Sequence, residues 1–305
     1  MRRLIALLCA LCAAGSAGAA RVAVDQLYVN DSDGMWQYRL LAGSEHRLDT
    51  LLAGGSAGFR AGRWRIDDRA GREDFDMLRL YYDSGETRAW RARAGLAQLS
   101  GEGSPTLADI LLNWSGGRWY VEGGAQRELI DTVTAIRLHT LVDTWSVSAD
   151  YRIAPEWTAV GALYTQSITD GNRRLGQVAR LVYSPARFEG LTLQGRVRHV
   201  SSDFNGLGYF SPDRLLESMV LIGYRRPLFG DDWIGGAQIG AGRQEIDRAI
   251  DNGLYLAELS LRGWFTERIG VDGRAGCSSA GGSATGQGDS GYRYCSVNFS
   301  LIGAW

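Results

Sequence analysis

The amino-acid sequence predicts an all-β protein, a transmembrane antiparallel β-barrel of about 16 strands. Three observations lead to this fold class: an N-terminal secretion signal, many strand-length segments that alternate apolar with polar residues, and an amphipathic last segment that ends on an aromatic residue. A barrel strand presents apolar side chains to lipid and polar side chains to the interior, which produces this alternation. The chain is long enough for one such barrel.

Residues 1–20 have the layout of a Sec signal peptide. Arg2 and Arg3 form a basic start, the segment 4–14 is apolar, and small residues follow with a cleavage site near Ala19. The apolar run of about 11 residues is too short to cross a hydrocarbon layer of about 30 Å as a helix. We therefore expect residues 1–20 to be removed and residues 21–305 to form the barrel in the bacterial outer membrane.

Composition supports strands rather than helices in the membrane. The chain has 41 Gly, 10 Trp and 13 Tyr but only 5 Pro, which suits strands joined by tight turns, with aromatic girdles at the membrane surfaces. All 33 basic residues are Arg, they are scattered, and the net charge is −1. This distribution argues against nucleic acid as a partner. The expected partners are outer-membrane lipid, lipopolysaccharide and the barrel assembly machinery, with neither a cofactor nor a metal ion.

Alternation and turn residues divide the chain into sixteen predicted strands. An even number places both termini on the periplasmic side, with tight turns there and longer loops outside. The predicted strands are 22–29, 35–43, 54–64, 74–83, 87–99, 107–115, 118–127, 143–153, 156–166, 174–184, 190–200, 215–226, 231–244, 254–265, 268–278 and 291–305. The predicted outer loops are 65–73, 128–142, 201–214, 245–253 and 278–290.

The last strands carry two further signals. Phe299 and the terminal Trp305 belong to an alternating apolar set that resembles the C-terminal insertion signal of outer-membrane barrels. Cys277 and Cys295 flank a loop rich in Gly and Ser and lie on the outward faces of their strands. In an oxidising compartment such a pair is expected to form a disulfide across a hairpin. A metal site would need more ligands.

The polar residues of each strand are predicted to line the lumen of the barrel. Two interpretations remain open: a self-paired wall that fills a narrow barrel, or a polar conduit whose charges and tyrosines bind a passing polar chain. The predicted lumen residues are Arg79, Tyr81, Arg91, Arg93, Arg118, Tyr120, Glu122, Asp150, Arg152, Arg196, Arg198, Glu258, Arg262, Asp272 and Arg274.

Three loop segments carry a resemblance to a known family. The segment 201–214 has a Tyr-Phe-Ser-Pro core, the segment 127–133 reads Arg-Glu-Leu-Ile-Asp-Thr-Val, and the segment 169–173 reads Thr-Asp-Gly-Asn-Arg. Together they resemble the C-terminal barrels of bacterial cellulose and poly-N-acetylglucosamine exporters, which include a phage-adsorption relative. The residues of the core are Tyr209, Phe210, Ser211 and Pro212.

The resemblance covers about residues 118–305. It implies a sixteen-stranded outer-membrane barrel that exports an exopolysaccharide. It also implies an inner-membrane polysaccharide synthase as a partner. The exporters carry a periplasmic array of tetratricopeptide repeats before the barrel, and this chain has none. We therefore expect either a separate periplasmic repeat scaffold or a stand-alone barrel with another role.

Two other functions remain open. His199 and Ser201 lie two residues apart, so both side chains belong to the lipid-facing side of one strand. They resemble the base and nucleophile of outer-membrane lipid hydrolases such as phospholipase A and lipid A deacylase. The remaining alternative is a structural or receptor barrel without transport.

Overall fold

The structure is a closed barrel of sixteen antiparallel strands, each paired with the next along the chain and β1 paired with β16. This confirms the predicted fold class and strand number. The computed structural model describes residues 20–48, 55–85, 89–101, 103–206, 208–230, 232–248, 250–281 and 292–304. Residues 1–19 of the predicted signal peptide and the insertion-signal residue Trp305 lie outside these ranges, and Ala20, the last residue of the predicted signal peptide, is the first residue of β1.

The strands follow the predicted order, and one short helix stands between β7 and β8. The strands are β1 Ala20–Asp31, β2 Trp36–Leu48, β3 Gly55–Asp68, β4 Gly71–Asp83, β5 Trp90–Leu99, β6 Thr106–Gly116, β7 Trp119–Leu129, β8 Leu141–Ala154, β9 Trp157–Ile168, β10 Arg173–Tyr183, β11 Leu191–Ser202, β12 Arg214–Pro227, β13 Trp233–Ile246, β14 Ile250–Thr266, β15 Ile269–Ser278 and β16 Tyr294–Ala304. The helix, α1, is Val133–Arg137.

The barrel has two rims. The terminal rim carries the start of β1 and the end of β16, and the loop rim is the opposite one.

The predicted outer loop 65–73 is wrong, because β3 continues to Asp68 and β4 starts at Gly71. Ion pairs support the extended hairpin, with an Arg65 Nε to Asp74 Oδ1 distance of 2.6 Å. The predicted loop 245–253 is likewise shorter, since β13 ends at Ile246 and β14 begins at Ile250. The sequence did not predict these longer strands, because the added residues are mostly charged and show no apolar alternation.

The outer surface of the barrel is apolar and exposed. Leu80, Val220 and Leu259 are 54%, 65% and 64% exposed and point away from the interior. Soluble proteins rarely expose large contiguous apolar patches, whereas a transmembrane barrel requires a continuous apolar band. Within the described ranges, no helix is long and apolar enough to cross a membrane.

Aromatic pairs form a girdle on the outer face at the terminal rim. Each pair joins the start of one strand to the end of the next. The pairs are Trp90–Trp114, Trp119–Tyr151, Trp157–Tyr183 and Trp233–Phe265, with ring centroids 4.5–6.3 Å apart. Aromatic side chains prefer the boundary between hydrocarbon and headgroups, so this girdle marks one membrane surface.

The predicted disulfide is present. Cys277 and Cys295 are directly opposed in the β15–β16 register, and their Cα atoms are 4.1 Å apart. The bond joins the outer faces of the two strands near the loop rim. It closes the hairpin at the base of the connection between them.

Candidate functional site

The loop-rim half of the interior on the side of β2–β7 is apolar, although polar residues were predicted throughout the lumen. Helix α1 folds into the barrel mouth, and its Val133 and Ile136 are 0% and 2% exposed. Burial of each side chain contributes roughly 1.5–3 kcal/mol. Their inward-facing partners are Trp64, Ile66, Phe75, Met77, Leu99, Leu107 and Leu129. The alternation of these strands could not show that a helix would cover their inner ends.

Hydrogen bonds hold α1 in place. Thr132 caps the helix: its hydroxyl accepts a bond from the Ala135 amide and donates to the Gly208 carbonyl at 2.6 Å. The Val133 amide donates to the Asp68 carboxylate at 2.8 Å. Gly208 has a φ of +79°, and a Cβ there would lie 2.6 Å from the Thr134 methyl. This close approach requires glycine.

A second loop, between β11 and β12, also folds inward. Asn172 is fully buried, and its side-chain amide donates to the Phe204 carbonyl, the Tyr209 hydroxyl and the Ser211 hydroxyl at 2.8–3.1 Å. The Tyr209 hydroxyl in turn donates to Asp170 at 2.6 Å. We call Thr132, Asp170, Asn172, Gly208, Tyr209 and Ser211 the mouth cluster.

The mouth cluster unites the three segments that carry the family resemblance. Thr132 belongs to segment 127–133, Asn172 to segment 169–173, and Tyr209 to segment 201–214. Tyr209 is 5% exposed and packs with Val142 and Ile168. Burial, together with the bond to Asp170, raises the pKa of Tyr209 to about 12. The Tyr-Phe-Ser-Pro core is therefore part of a packed plug inside the mouth.

Three neighbouring cavities lie between the mouth and the barrel interior. The first, of 390 Å³, lies beside the mouth cluster. The second, of 330 Å³, shares Leu129 and Asp131 with the first. The third, of 570 Å³, shares Arg39 and Glu128 with the second. The three cavities thus lie next to one another beside the plug, along β1–β7.

Acidic and aromatic side chains surround the first cavity. Asp31, Asp131, Tyr292 and Tyr294 all line it. The Gln37 side-chain amide donates to Asp131 at 3.2 Å, and the protein around Asp131 desolvates the carboxyl and raises its pKa. Burial also raises the pKa of the Tyr292 hydroxyl. Hydroxyls, carboxylates and ring faces together suit a hydroxyl-rich ligand.

Ion pairs line the third cavity. Arg60 donates to Asp25 at 2.8 Å and its guanidinium lies 5.0 Å from the centre of the Tyr81 ring. Arg79 contacts Asp109 at 2.6 Å. These pairs fit the interpretation of a self-paired wall on this side of the lumen. The sequence interpretation missed Asp25, Arg60 and Asp109, although their strand parity marks them as inward.

Arg118 lies in the turn that precedes β7, and the other predicted lumen residues have the inward parity of their strands. Arg91 makes two bonds to Asp83 at 2.9 and 2.6 Å, and Arg93 lines the third cavity. Further inner-face contacts are Arg262 with Asp272, Arg274 with Glu258, and Tyr120 with Glu122. The residues Arg118, Tyr120, Asp150 and Arg152 line a 470 Å³ cavity at the terminal rim.

The wall formed by β10 and β11 differs from the opposite wall. Arg196 and Arg198 point inward from β11, and Arg180, which the sequence interpretation missed, points inward from β10 directly opposite Arg196. Arg198 contacts the buried Glu217 at 3.4 Å and the Tyr164 hydroxyl at 3.3 Å. Within the described ranges, neither Arg180 nor Arg196 has an acidic side chain within 4.0 Å.

His199 and Ser201 lie on the outer face of β11, as predicted. Their register partners on β12 are Leu216 and Arg214. In the part of the chain that the structure describes, no hydrogen bond joins the two side chains. A base and nucleophile need such a contact, which is often longer in a ligand-free enzyme. The hydrolase therefore stays a prediction.

The closed barrel, its apolar outer band and its polar interior define a transmembrane barrel of the outer-membrane type, which places the chain in the bacterial outer membrane. The barrel is similar to a bacterial polysaccharide outer membrane secretin, with a TM-score of 0.69 and 9% identity over 94% of this chain and 98% of that one. It is also similar to OccD1 (OprD), with a TM-score of 0.50 and 10% identity over 95% of this chain and 96% of that one. At these identities the similarity establishes the fold. No protein-family model and no curated protein matches the sequence.

Proposed function

We propose that this barrel exports a polar polymer, an exopolysaccharide, across the outer membrane. The observation that carries the proposal is the mouth cluster. Three segments that resemble exopolysaccharide exporters are far apart in the sequence, yet Thr132, Asn172 and Tyr209 join them in one hydrogen-bonded plug. Residues with a shared task at the mouth would be expected to converge in this way.

Two further features support export. Neighbouring cavities lie beside the plug and within the polar lumen, so a hydrated polymer that passed along them would meet hydroxyls, carboxylates and guanidinium groups. The similarity in fold to a polysaccharide secretin agrees with this proposal. In this proposal the terminal rim faces the periplasm and the mouth cluster faces the outside.

The proposed partners follow from the route. An inner-membrane synthase would supply the polymer, and a periplasmic repeat scaffold would guide it to the terminal rim. The barrel itself would contact outer-membrane lipid and lipopolysaccharide, and the barrel assembly machinery would insert it.

A deletion strain tests the proposal. In-frame deletion should abolish surface polysaccharide while its synthesis continues, so polymer should accumulate in the periplasm. Re-expression should restore the surface polymer. His199→Ala and Ser201→Ala should restore it equally well, because both side chains lie outside the lumen.

Two results would refute export. If the amount of surface polysaccharide were unchanged in the deletion strain, the barrel would have a structural or receptor function instead of export. Cleavage of phospholipid or lipid A by the purified barrel, abolished by either His199→Ala or Ser201→Ala, would establish the hydrolase instead.

A further inference from the structure

We propose that Arg180, Arg196 and Arg198 form an anion-binding site in the lumen, which takes the carboxylate or sulfate groups of an acidic sugar polymer. The anion site stands on the geometry of β10 and β11 alone. The statement that its ligand is a polymer in transit rests on the proposed function.

The strand register places like charges together. Arg180 and Arg196 are directly opposed in the β10–β11 pair, and both side chains point into the lumen. Directly opposed like charges destabilise a sheet. The nearest acidic residue in the same line of register partners is Asp150 on β8. Val160 of β9 lies between Asp150 and Arg180. Asp150 attracts Arg180 but lies beyond ion-pair distance of it. Among the described residues, the fold therefore holds two cations side by side with no carboxylate within ion-pair distance of either.

The hydrogen-bonding groups of this wall are incompletely used. The Nε atom of Arg196 is buried without a hydrogen-bond partner. One of its terminal nitrogens reaches the Met219 sulfur at 3.7 Å, and a thioether is a weak acceptor. A buried donor without a partner is costly unless a ligand satisfies it. An oxyanion lying between Arg180 and Arg196 would give both guanidinium groups a charged acceptor.

The positive charge of this wall is compensated only in part. Arg174, Arg180, Arg196 and Arg198 face the lumen from two neighbouring strands, and Glu217 is the buried carboxylate beside them. Its bond to Arg198 is long at 3.4 Å. On the opposite wall, Arg60, Arg79 and Arg91 contact carboxylates at 2.6–2.8 Å. The lumen thus has one wall with several close ion pairs and one wall on which four guanidinium groups lie beside a single buried carboxylate.

The chemistry of the guanidinium group defines the ligand. Its planar fork matches the paired oxygens of a carboxylate or sulfate and binds them through two parallel hydrogen bonds. Neighbouring strands are about 4.8 Å apart, so Arg180 and Arg196 can share one anionic group between them. A conduit needs sites that bind weakly enough to release the chain. Exposed Arg180 beside half-buried Arg196 fits such a site.

Equilibrium binding to the purified full-length barrel in detergent micelles tests the site. The probes are an oligogalacturonate, a neutral galactose oligomer of the same length and a sulfated galactose oligomer. We expect both acidic oligomers to bind and the neutral one not to bind. Arg180→Gln and Arg196→Gln should each weaken acidic binding about tenfold, because a charge-assisted hydrogen bond is lost. Arg63→Gln is the control, because it removes an Arg from the outer face of β3, and it should leave the affinity for the acidic oligomers unchanged.

A stability measurement separates binding from structure. Arg180→Gln removes a like-charge contact, so the midpoint of heat-induced mobility change on gels should stay the same or rise while binding falls. This keeps the test valid if Arg196→Gln fails to fold. The site would be overturned if the neutral oligomer bound as strongly as both acidic ones. It would also be overturned if Arg180→Gln bound the acidic oligomers with unchanged affinity. Acidic binding with normal surface polysaccharide in the deletion strain would keep the anion site and refute export.

Discussion

Replacement of Asn172 by Ala should open the mouth cluster without unfolding the barrel. Asn172 is fully buried, and the two N–H groups of its side-chain amide serve three oxygens on the β11–β12 loop. Counting two net hydrogen bonds at about 1 kcal/mol each gives a loss of about 2 kcal/mol. The local opening equilibrium of the loop should then increase about 30-fold. The strand pairing does not involve this amide, so the barrel should remain closed.

Chymotrypsin cleavage of the folded protein measures this opening. Tyr209 is buried in the closed loop and becomes a cleavage site when the loop opens, whereas Phe204 is already 42% exposed. When loop closing is fast, the cleavage rate follows the open population. The initial rate of cleavage after Tyr209 should therefore rise about 30-fold in Asn172→Ala. Cleavage after Phe204 should also rise, because the Asn172 amide holds the Phe204 carbonyl in the closed loop.

Asn205→Ala is the matched control, because Asn205 is the same residue type in the same loop and is exposed. It should leave the rate at Tyr209 unchanged. An equal rate in Asn172→Ala and the wild type would refute the assignment of Asn172 as the anchor of the loop. An equally large increase in Asn205→Ala would show that the loop responds to any change.

Two further predictions concern the same rim. The pKa of Tyr209 is raised to about 12 from its ordinary value of 10.0, so its stabilising effect should be complete below pH 10 and disappear as the pH rises through 12. Ultraviolet titration of Tyr209→Phe should show one late-titrating tyrosine fewer than the wild type, and a Tyr209 that ionises near pH 10 would contradict the buried bond to Asp170. Replacing Cys277 and Cys295 by Ser should destabilise the barrel by about 2–4 kcal/mol, seen as a lower midpoint of heat-induced mobility change. Thiol labelling of either cysteine in unreduced, denatured protein would contradict the bridge.

Much of the fold could be predicted from the sequence because strand alternation is a local property. The period of two assigns each residue of a strand to one of two faces, so alternation predicted the sixteen strands that the structure confirms, and it assigned Arg196 to the inner face and His199 to the outer face. The pairing of Cys277 with Cys295 followed from the same parity. The three segments with a family resemblance also identified the parts of the chain that form the mouth cluster.

Contacts between distant residues could be decided only by the tertiary structure. Strand parity cannot show that α1 covers Trp64 and Phe75. The same alternation would be expected whether the inner ends of these strands faced a helix or a water-filled lumen. It cannot bring Asn172 to Tyr209, since loop conformation depends on what the loop packs against. It also cannot place Arg180 opposite Arg196, because the neighbour of each residue depends on strand register, and register is set by the closure of the whole barrel.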